Sequence, residues 1–416
     1  MDGGYSQRRV GVIGGGPAGM MASIYAVQNG AEVTLFERNP YLGKKLGITG
    51  KGRCNVTNDC DNAEFLKNVI ANPKFLYASI NNFSTQDTKS FFEGLGVPLK
   101  TERGRRVFPV SDKASDIVNA LKNCVLDYGV RVVNQRVTSI ITEGTQVTGL
   151  RTEREEYRFD AIICATGGAS YPMTGSDGDG YKFARELGIE ISPIFPSLVP
   201  LETKEDVSCN MGLSLKNVTL KIVDNKKGKT VFSELGEMLF THFGLTGPLV
   251  LSASSHMREM ERGRYTAYID FKPALDYGEL DKRVISDFSK NINKDFCNSL
   301  GNLLPSKIIP YIIERSGIRP DAKVNEITKV QRKAFVDTLK GLSLEITGFR
   351  PLREAIVTAG GISVKEINPS DMQSKKYKGL YFAGEIIDVD AYTGGYNLQI
   401  AFSTGALAGM HASWGE

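Results

Sequence analysis

The feature that most constrains the fold is the segment VGVIGGGPAGM near the N-terminus, where Gly14, Gly16 and Gly19 form a G-x-G-x-x-G pattern. The pattern follows a short apolar strand predicted at 10–13 and opens a helix predicted over 17–29. The first glycine permits a tight turn, the second lets backbone N–H groups approach a pyrophosphate, and the third allows close helix–strand packing. A second apolar strand, EVTLFE, follows at once. The chain therefore begins with a β-α-β unit, which implies a parallel sheet.

An acidic residue closes this unit. Glu37 ends the second strand, 23 residues after Gly14, where a carboxylate can accept hydrogen bonds from the ribose hydroxyls of an adenosine. The same charge would repel a 2′-phosphate, so the site favours FAD or NAD over NADP. The alternative is a glycine-rich turn that holds no ligand.

A second glycine-rich loop, LGKKLGITGKGRCNVTN at residues 42–58, carries several lysines and arginines. It does not match a Walker A loop, because Lys45 stands where G-x-x-x-x-G-K-[ST] requires its first glycine. We expect this loop to fold over a bound cofactor; the alternative is a solvated basic surface loop.

Composition indicates an ordinary folded protein. The chain has 416 residues, 41% hydrophobic and 24% charged, and its net charge of +4 does not gather in one basic stripe, so no nucleic-acid partner is signalled. The segment MDGGYSQRRV lacks an apolar signal region, and no run approaches the length of a membrane span, so we expect a cytoplasmic protein without a membrane partner. No metal site is predicted, because the six cysteines form no C-x-x-C pair and SDGDGYKFAREL has Tyr181 and Gly188 where an EF-hand needs ligands.

Several long stretches occur in order and carry a family resemblance. They are CATGGASYPMTGSDGDGYKFARELG, PSLVPL, GEMLFTHFGLTGP and TAGGISVKEINPSDMQSKKYKGLYFAGEIIDVDAYTGGYNLQIAFSTGALAG. With the two glycine loops they closely resemble the HI0933-like family of bacterial flavoproteins, which includes NAD(P)/FAD-dependent oxidoreductases, aminoacetone oxidases and bile-acid olefin reductases. The resemblance covers about residues 8 to 410 and implies FAD as the cofactor.

The resemblance also implies an α/β fold in which a Rossmann-like FAD-binding domain is built from both chain ends. A β-barrel-like domain and a small helical domain would be inserted into it. The predicted boundaries are 1–193 and 355–416 for the FAD-binding domain, 194–274 and 341–354 for the barrel-like domain, and 275–340 for the helical subdomain.

An extended FAD needs its ADP half at one helix N-terminus and its isoalloxazine ring at another. The helix predicted over 397–407, after Gly394 and Gly395, supplies the second N-terminus, whose dipole would stabilise negative charge on the reduced ring; the alternative is a buried helix with an ordinary glycine start. The predicted FAD-binding residues are Gly14, Gly16, Pro17, Ala18, Gly19, Glu37, Arg38, Lys45, Gly52, Arg53, Cys54, Asn55, Val137, Thr166, Gly167, Gly384, Glu385, Gly395, Tyr396, Asn397 and Leu398.

Two residues are predicted to be catalytic. His242, in FTHFG, lies in a loop that the resemblance brings toward the flavin, where an imidazole could donate a proton near neutral pH; the alternative is a structural histidine. Tyr392 could stack against substrate or ring, or simply pack.

The predicted function is an FAD-dependent oxidoreductase that transfers a hydride between a nicotinamide and a small organic substrate through the flavin. Because no second glycine fingerprint is present, NAD(P)H is expected only as a transient electron donor. Two alternatives stay open: an FAD-dependent amine or amino-ketone oxidase that uses oxygen, and an FAD-containing RNA-modifying or sensor protein. The sequence does not predict the oligomeric state.

Overall fold

The computed structural model describes residues 7–414. Residues 1–6 and 415–416 lie outside the described residues, and they include part of the N-terminal segment on which the cytoplasmic prediction rests. The chain divides into two compact units, one running up to Ser197 and resuming at Leu352, the other comprising Leu198–Pro351. Within residues 7–414, no helix combines the length and apolar character needed to cross a bilayer.

The strands and helices alternate along most of the chain. The strands are Arg9–Ile13 (β1), Glu32–Phe36 (β2), Thr57–Asn58 (β3), Leu99–Glu102 (β4), Arg106–Pro109 (β5), Arg131–Val133 (β6), Val137–Glu143 (β7), Gln146–Thr152 (β8), Glu156–Arg158 (β9), Ala161–Cys164 (β10), Ile191–Ser197 (β11), Leu201–Thr203 (β12), Ser214–Asp224 (β13), Lys229–Phe240 (β14), Gly244–Thr246 (β15), Tyr265–Asp270 (β16), Leu342–Phe349 (β17), Val357–Ile362 (β18) and Leu380–Phe382 (β19). The helices are Pro17–Gln28 (α1), Thr49–Gly52 (α2), Asn62–Lys67 (α3), Tyr77–Asn82 (α4), Thr85–Gly94 (α5), Ala114–Asp127 (α6), Asp179–Glu186 (α7), Pro248–Ser254 (α8), Tyr277–Ser289 (α9), Phe296–Ser299 (α10), Ile309–Ser316 (α11), Lys329–Lys340 (α12) and Tyr396–Ser413 (α13).

The first unit is organised by a five-stranded sheet in the order β19-β10-β1-β2-β6. All of its strand pairs are parallel. The central strands VGVI, VTLF and AIIC are buried along their length, as expected for parallel strands covered on both faces. Because β19 comes from the far end of the chain and pairs with β10, both chain ends build this sheet, and the predicted fold class is confirmed.

Helix α13 is longer than predicted. The sequence indicated an end at Leu407, but the helix continues to Ser413. Gly405 and Gly409 do not terminate it, because they face α1 at very short range: a Cβ at Gly405 would lie 2.4 Å from the carbonyl oxygen of Ala18, and one at Gly409 would lie 2.3 Å from that of Ala22. Both glycines are therefore packing residues inside the helix.

The second unit contains a closed barrel in the order β12-β15-β14-β13-β16-β17. Strands β16 and β17 alternate buried and partly exposed residues, the pattern of strands with one face toward a core. Helices α9 to α12 belong to the same unit. Pro310, which the sequence suggested as a breaker between helices, lies in the first turn of α11, where its missing N–H leaves no hydrogen bond unmade.

A buried ion pair supports the β13–β14 hairpin of the barrel. The guanidinium of Arg264 donates to the Asp224 carboxylate over 3.0 Å, and both side chains are 2% exposed. Asp224 also accepts hydrogen bonds from the backbone N–H groups of Lys226 and Lys227 at the turn. Arg264 holds the pKa of Asp224 below its usual value.

Candidate functional site

The three glycines of the N-terminal loop have different local surroundings. Gly14 has φ +106° and donates its N–H to Phe36 O over 2.8 Å, while a Cβ at Gly19 would lie 1.8 Å from Gly14 O. A Cβ at Gly16, by contrast, would meet no heavy atom within 4 Å. The first turn of α1 thus opens onto free space at Gly16, where its N–H groups can bind an anion.

Glu37 is tied to the same loop. Its carboxylate accepts hydrogen bonds from the N–H of Gly15 over 2.8 Å, from the N–H of Asn39 over 2.8 Å and from the Asn39 side-chain amide over 2.6 Å. These contacts fix the glycine loop to the end of β2. That Glu37 binds ribose hydroxyls stays a prediction.

Arg38 lies in a cluster of four charged side chains. Its guanidinium contacts Asp177 at 2.7 Å and Asp179 at 3.2 Å, and Arg136 contacts Asp179 at 2.7 Å. Burial acts to raise the pKa of Asp177, but Arg38 and Arg136 outweigh it and leave this pKa below its usual value. The side chain of Arg38, predicted to bind the cofactor, is therefore engaged by carboxylates.

The second glycine loop follows a run of left-handed backbone. Gly50, Lys51, Gly52 and Cys54 all have φ between +56° and +84°. Burial raises the pKa of the Cys54 thiol to about 12, so the thiol is protonated at neutral pH. The Oδ1 atom of Asn55 is buried and has no hydrogen-bond partner within the described chain, so a polar ligand group at this loop would satisfy it.

Arg53, from the same loop, packs against protein groups. It pairs with Glu102 and, at 2.5 Å, with Asp112, and its guanidinium lies 4.1 Å from the ring centroid of Phe108. The sequence predicted a cofactor contact for this side chain. In the structure its positive charge is neutralised by two carboxylates.

The loop after β10 approaches both the glycine loop and β18. A Cβ at Gly14 would lie 2.5 Å from Ala165 O, which brings Thr166 and Gly167 next to the dinucleotide-binding loop. Farther along, Thr358 accepts hydrogen bonds from the N–H groups of two residues of this loop. Val137, also a predicted FAD contact, is buried at the start of β7.

Lys45 and Glu385 lie together, although 340 residues separate them. Lys45 Nζ is 2.6 Å from Glu385 Oε2 and 2.8 Å from Ser170 Oγ. Glu385 Oε1 accepts hydrogen bonds from Ser170 Oγ over 3.1 Å and from Thr358 N over 2.9 Å. Gly384, beside Glu385, has φ +80° and lies against Ala18 in α1, since a Cβ there would be 2.7 Å from Ala18 Cβ.

Two glycines with positive φ precede α13. A Cβ at Gly395 would lie 2.3 Å from Thr57 O, and the carbonyl of Gly394 accepts a hydrogen bond from the Asn58 side chain over 3.1 Å. We expected the bare Cα of Gly395 to admit the flavin ring. The structure shows that it admits the backbone of β3.

The residues around the start of α13 have largely structural contacts. Asn397 donates its side-chain N–H groups to the carbonyls of Ala391 and Tyr392 over 2.8 and 3.2 Å. Tyr396 is buried against Phe65, with ring centroids 5.5 Å apart. Tyr392 and Leu398 are half-buried. The catalytic role predicted for Tyr392 stays a prediction.

Gln399 is a buried polar residue that the sequence prediction missed. Its Oε1 accepts hydrogen bonds from Thr57 and Thr88 over 2.6 and 2.7 Å, and its Nε2 donates to Phe83 O over 3.1 Å. This network fixes the first turns of α13 to β3 and α5. Its only sequence signal was a glutamine in an otherwise apolar helix.

Helices α1 and α13 run parallel, because Ala18 faces Gly405 and Ala22 faces Gly409. Nine residues separate Gly405 from the start of α13, whereas Ala18 is one residue from the start of α1. At 1.5 Å per residue, the N-terminus of α13 extends roughly 12 Å beyond that of α1. Two parallel, staggered N-termini suit a ligand with phosphates at one end and an electron-accepting ring at the other.

His242 belongs to the second unit. It is exposed in the turn between β14 and β15, and its ring contacts Phe243 edge-on with centroids 5.0 Å apart. Its proposed proton-donor role stays a prediction.

The parallel sheet, the glycine loop and the staggered helix N-termini define the class of protein, a dinucleotide-binding α/β flavoprotein. The HI0933-like protein Rossmann domain matches residues 8–411. The chain therefore belongs to the HI0933-like family, as its sequence predicted, and it is an FAD-dependent oxidoreductase.

Individual relatives match over nearly the whole chain. A 3-dehydro-bile acid delta(4,6)-reductase from Clostridium scindens is 30% identical over 97% of this chain and 99% of its own. A ribosomal RNA dihydrouridine synthase from Haemophilus influenzae is 30% identical over 97% of this chain and 98% of its own. A solved quinol fumarate reductase from E. coli, 17% identical, covers 98% of this chain and 70% of its own with a TM-score of 0.52, which shows a shared fold.

Proposed function

We propose that this protein is an FAD-dependent reductase that takes electrons from NADH or NADPH and saturates a carbon–carbon double bond conjugated to a carbonyl group in an organic acceptor. The net reaction consumes the reduced nicotinamide, the acceptor and one proton, and yields the oxidised nicotinamide and the saturated carbonyl compound. When bound, FAD supplies the hydride acceptor and donor that links the two half-reactions.

The observation that carries this proposal is the full-length similarity to the bile acid delta(4,6)-reductase. That relative and the dihydrouridine synthase share one chemistry by their names, since a delta(4)-3-oxo steroid and a uracil ring both present a C=C bond conjugated to a carbonyl. In each case the product is the saturated ring. Two relatives with different substrates thus support the reaction type rather than a particular acceptor.

The residues of the first unit fit FAD. The open space at Gly16 receives the pyrophosphate against the first turn of α1, and the unpartnered Asn55 Oδ1 offers an acceptor. The N-terminus of α13 would stabilise negative charge at the ring. Since the sequence contains one G-x-G-x-x-G loop in strand–helix context, donor and acceptor would take turns at the same ring, which gives ping-pong kinetics.

Anaerobic spectroscopy of the purified holoenzyme tests the proposal. NADH or NADPH should bleach the flavin absorbance without any acceptor, and a panel of conjugated enones should restore it, whereas the matched saturated ketones should not. If neither nicotinamide bleaches the flavin while a primary amine or amino-ketone does, and peroxide forms in air, the protein is an oxidase and the proposal is wrong.

A second candidate is reduction of uridine in ribosomal RNA, which the dihydrouridine synthase relative favours. Residues 198–351 contain 23 Lys and Arg against 19 Asp and Glu, which accounts for the whole net charge of +4. Unmodified ribosomal RNA should then gain dihydrouridine when incubated with the enzyme and NADPH, measured by mass spectrometry of the digested nucleosides. Unchanged RNA beside an active enone reductase would exclude this candidate.

A further inference from the structure

The ion pair between Lys45 and Glu385 has a place in the fold that its family role does not explain. With Ser170 and Thr358 it forms a connected group, here called the Lys45 cluster, and its members come from four separate segments of the first unit. The side chains of Lys45 and Glu385 are each 22% exposed. The pair is therefore shielded from most of the solvent.

Both ends of the cluster attach to the dinucleotide-binding loop. On the Lys45 side, the N–H of Gly43 donates to Gly15 O over 2.8 Å. On the Glu385 side, Gly384 lies against Ala18 in the first turn of α1. The ion pair thus joins two loops that flank the N-terminus of α1, the turn that opens onto the space at Gly16.

We propose that Lys45 is a positioning residue for FAD, which acts by holding Glu385 and Ser170 rather than by binding the phosphates. The cluster keeps the loops on either side of α1 at the spacing that FAD requires between the pyrophosphate site and the N-terminus of α13. This inference rests on FAD binding and is independent of the electron donor and acceptor. Its test uses cofactor affinity, so its failure is distinguishable from failure of the proposed reductase activity.

The two possible roles of Lys45 predict opposite effects for one substitution. If Lys45 bound the phosphates directly, Glu385→Gln would release its charge and remove a nearby negative charge, so FAD would bind more tightly. If Lys45 acts through the cluster, removing either partner leaves the other charge unpaired in a shielded position. Both single variants then bind FAD more weakly, and their effects are not additive.

The experiment measures the dissociation constant of FAD, by fluorescence titration of the apoprotein, for Lys45→Met, Glu385→Gln and the double variant. Each single substitution should weaken binding about tenfold or more, and the double variant should lie within about threefold of the weaker single, because the unpaired charge is gone. Lys45→Arg, which keeps the pair, should bind like the parent. The matched control is Lys44→Met, since Lys44 has only a 3.4 Å contact with Asn39.

Apoprotein unfolding temperatures separate loss of positioning from loss of fold. If one single variant fails to fold, Ser170→Ala replaces it and should also weaken FAD binding with an unchanged unfolding temperature. Tighter or unchanged binding by Glu385→Gln, or effects of the two singles that multiply in the double variant, would overturn the proposal.

Discussion

Replacing Gly16 by valine should block FAD binding without disturbing the fold. Gly16 has φ −79° and ψ −175°, an extended conformation that valine adopts readily, and its Cβ direction is free of protein atoms within 4 Å. The added isopropyl group would therefore occupy only the space in front of the α1 N-terminus. The free energy of unfolding of the apoprotein should change by about 1 kcal/mol or less, as expected for a glycine substitution at a compatible site.

The loss of affinity follows from the donors that the phosphates can no longer reach. Hydrogen bonds to charged groups contribute about 1.5–3 kcal/mol each, so losing two first-turn N–H contacts costs about 3 kcal/mol or more, which is at least a hundredfold in Kd. The smaller Gly16→Ala change should give an intermediate loss.

Fluorescence titration of the apoprotein with FAD, alongside circular dichroism melting, measures both quantities. Gly94→Val is the matched control, because Gly94 ends α5 and a Cβ there also meets no atom within 4 Å. A Gly16→Val protein that binds FAD within about threefold of the parent would refute the placement of the pyrophosphate at this turn.

Three further predictions concern other sites. Gly395→Leu should lower the unfolding temperature of the apoprotein as well as its flavin content, because its Cβ would strike the backbone of β3; an unchanged melting curve would contradict this packing. Asp224→Asn should destabilise the protein at neutral pH and make its melting temperature less dependent on acid, because a carboxylate whose pKa is depressed by Arg264 stabilises the fold above its unfolded pKa and loses that contribution as pH falls through its folded pKa; parallel pH profiles for the two proteins would argue against it. Cys54 should resist iodoacetamide at pH 8 in the folded protein, because burial raises its pKa to about 12, whereas the exposed Cys209 should react; peptide mass mapping compares the two.

The sequence predicted the parts of the site that depend on local pattern. The G-x-G-x-x-G loop, the β-α-β unit around it and the membership in the HI0933-like family are all confirmed. Each is encoded within a short stretch or an ordered set of motifs, where spacing and backbone requirements leave few alternatives.

Long-range partners were beyond that reasoning. The positive charges of Arg38, Lys45 and Arg53 predicted a basic surface for the cofactor, yet each pairs with a carboxylate distant in sequence. The end of α13 was missed for a related reason. A glycine that stops a helix and a glycine that packs against another helix look the same in sequence, and only the contact of Gly405 with Ala18 separates them.

The late arrival of β19 and α13 in the chain has a consequence for how the protein matures. During synthesis the ribosome releases β1, α1 and β10 long before the strand and helix that complete the cofactor domain, while the whole barrel emerges in between. Domains form as units from the N-terminal end, and pairing of distant segments is slow because their loop must first close. The barrel should therefore become protease-resistant on a nascent chain while the sheet beside it still has an open edge at β10. Flavin capture would then be a post-translational event that marks the completed chain.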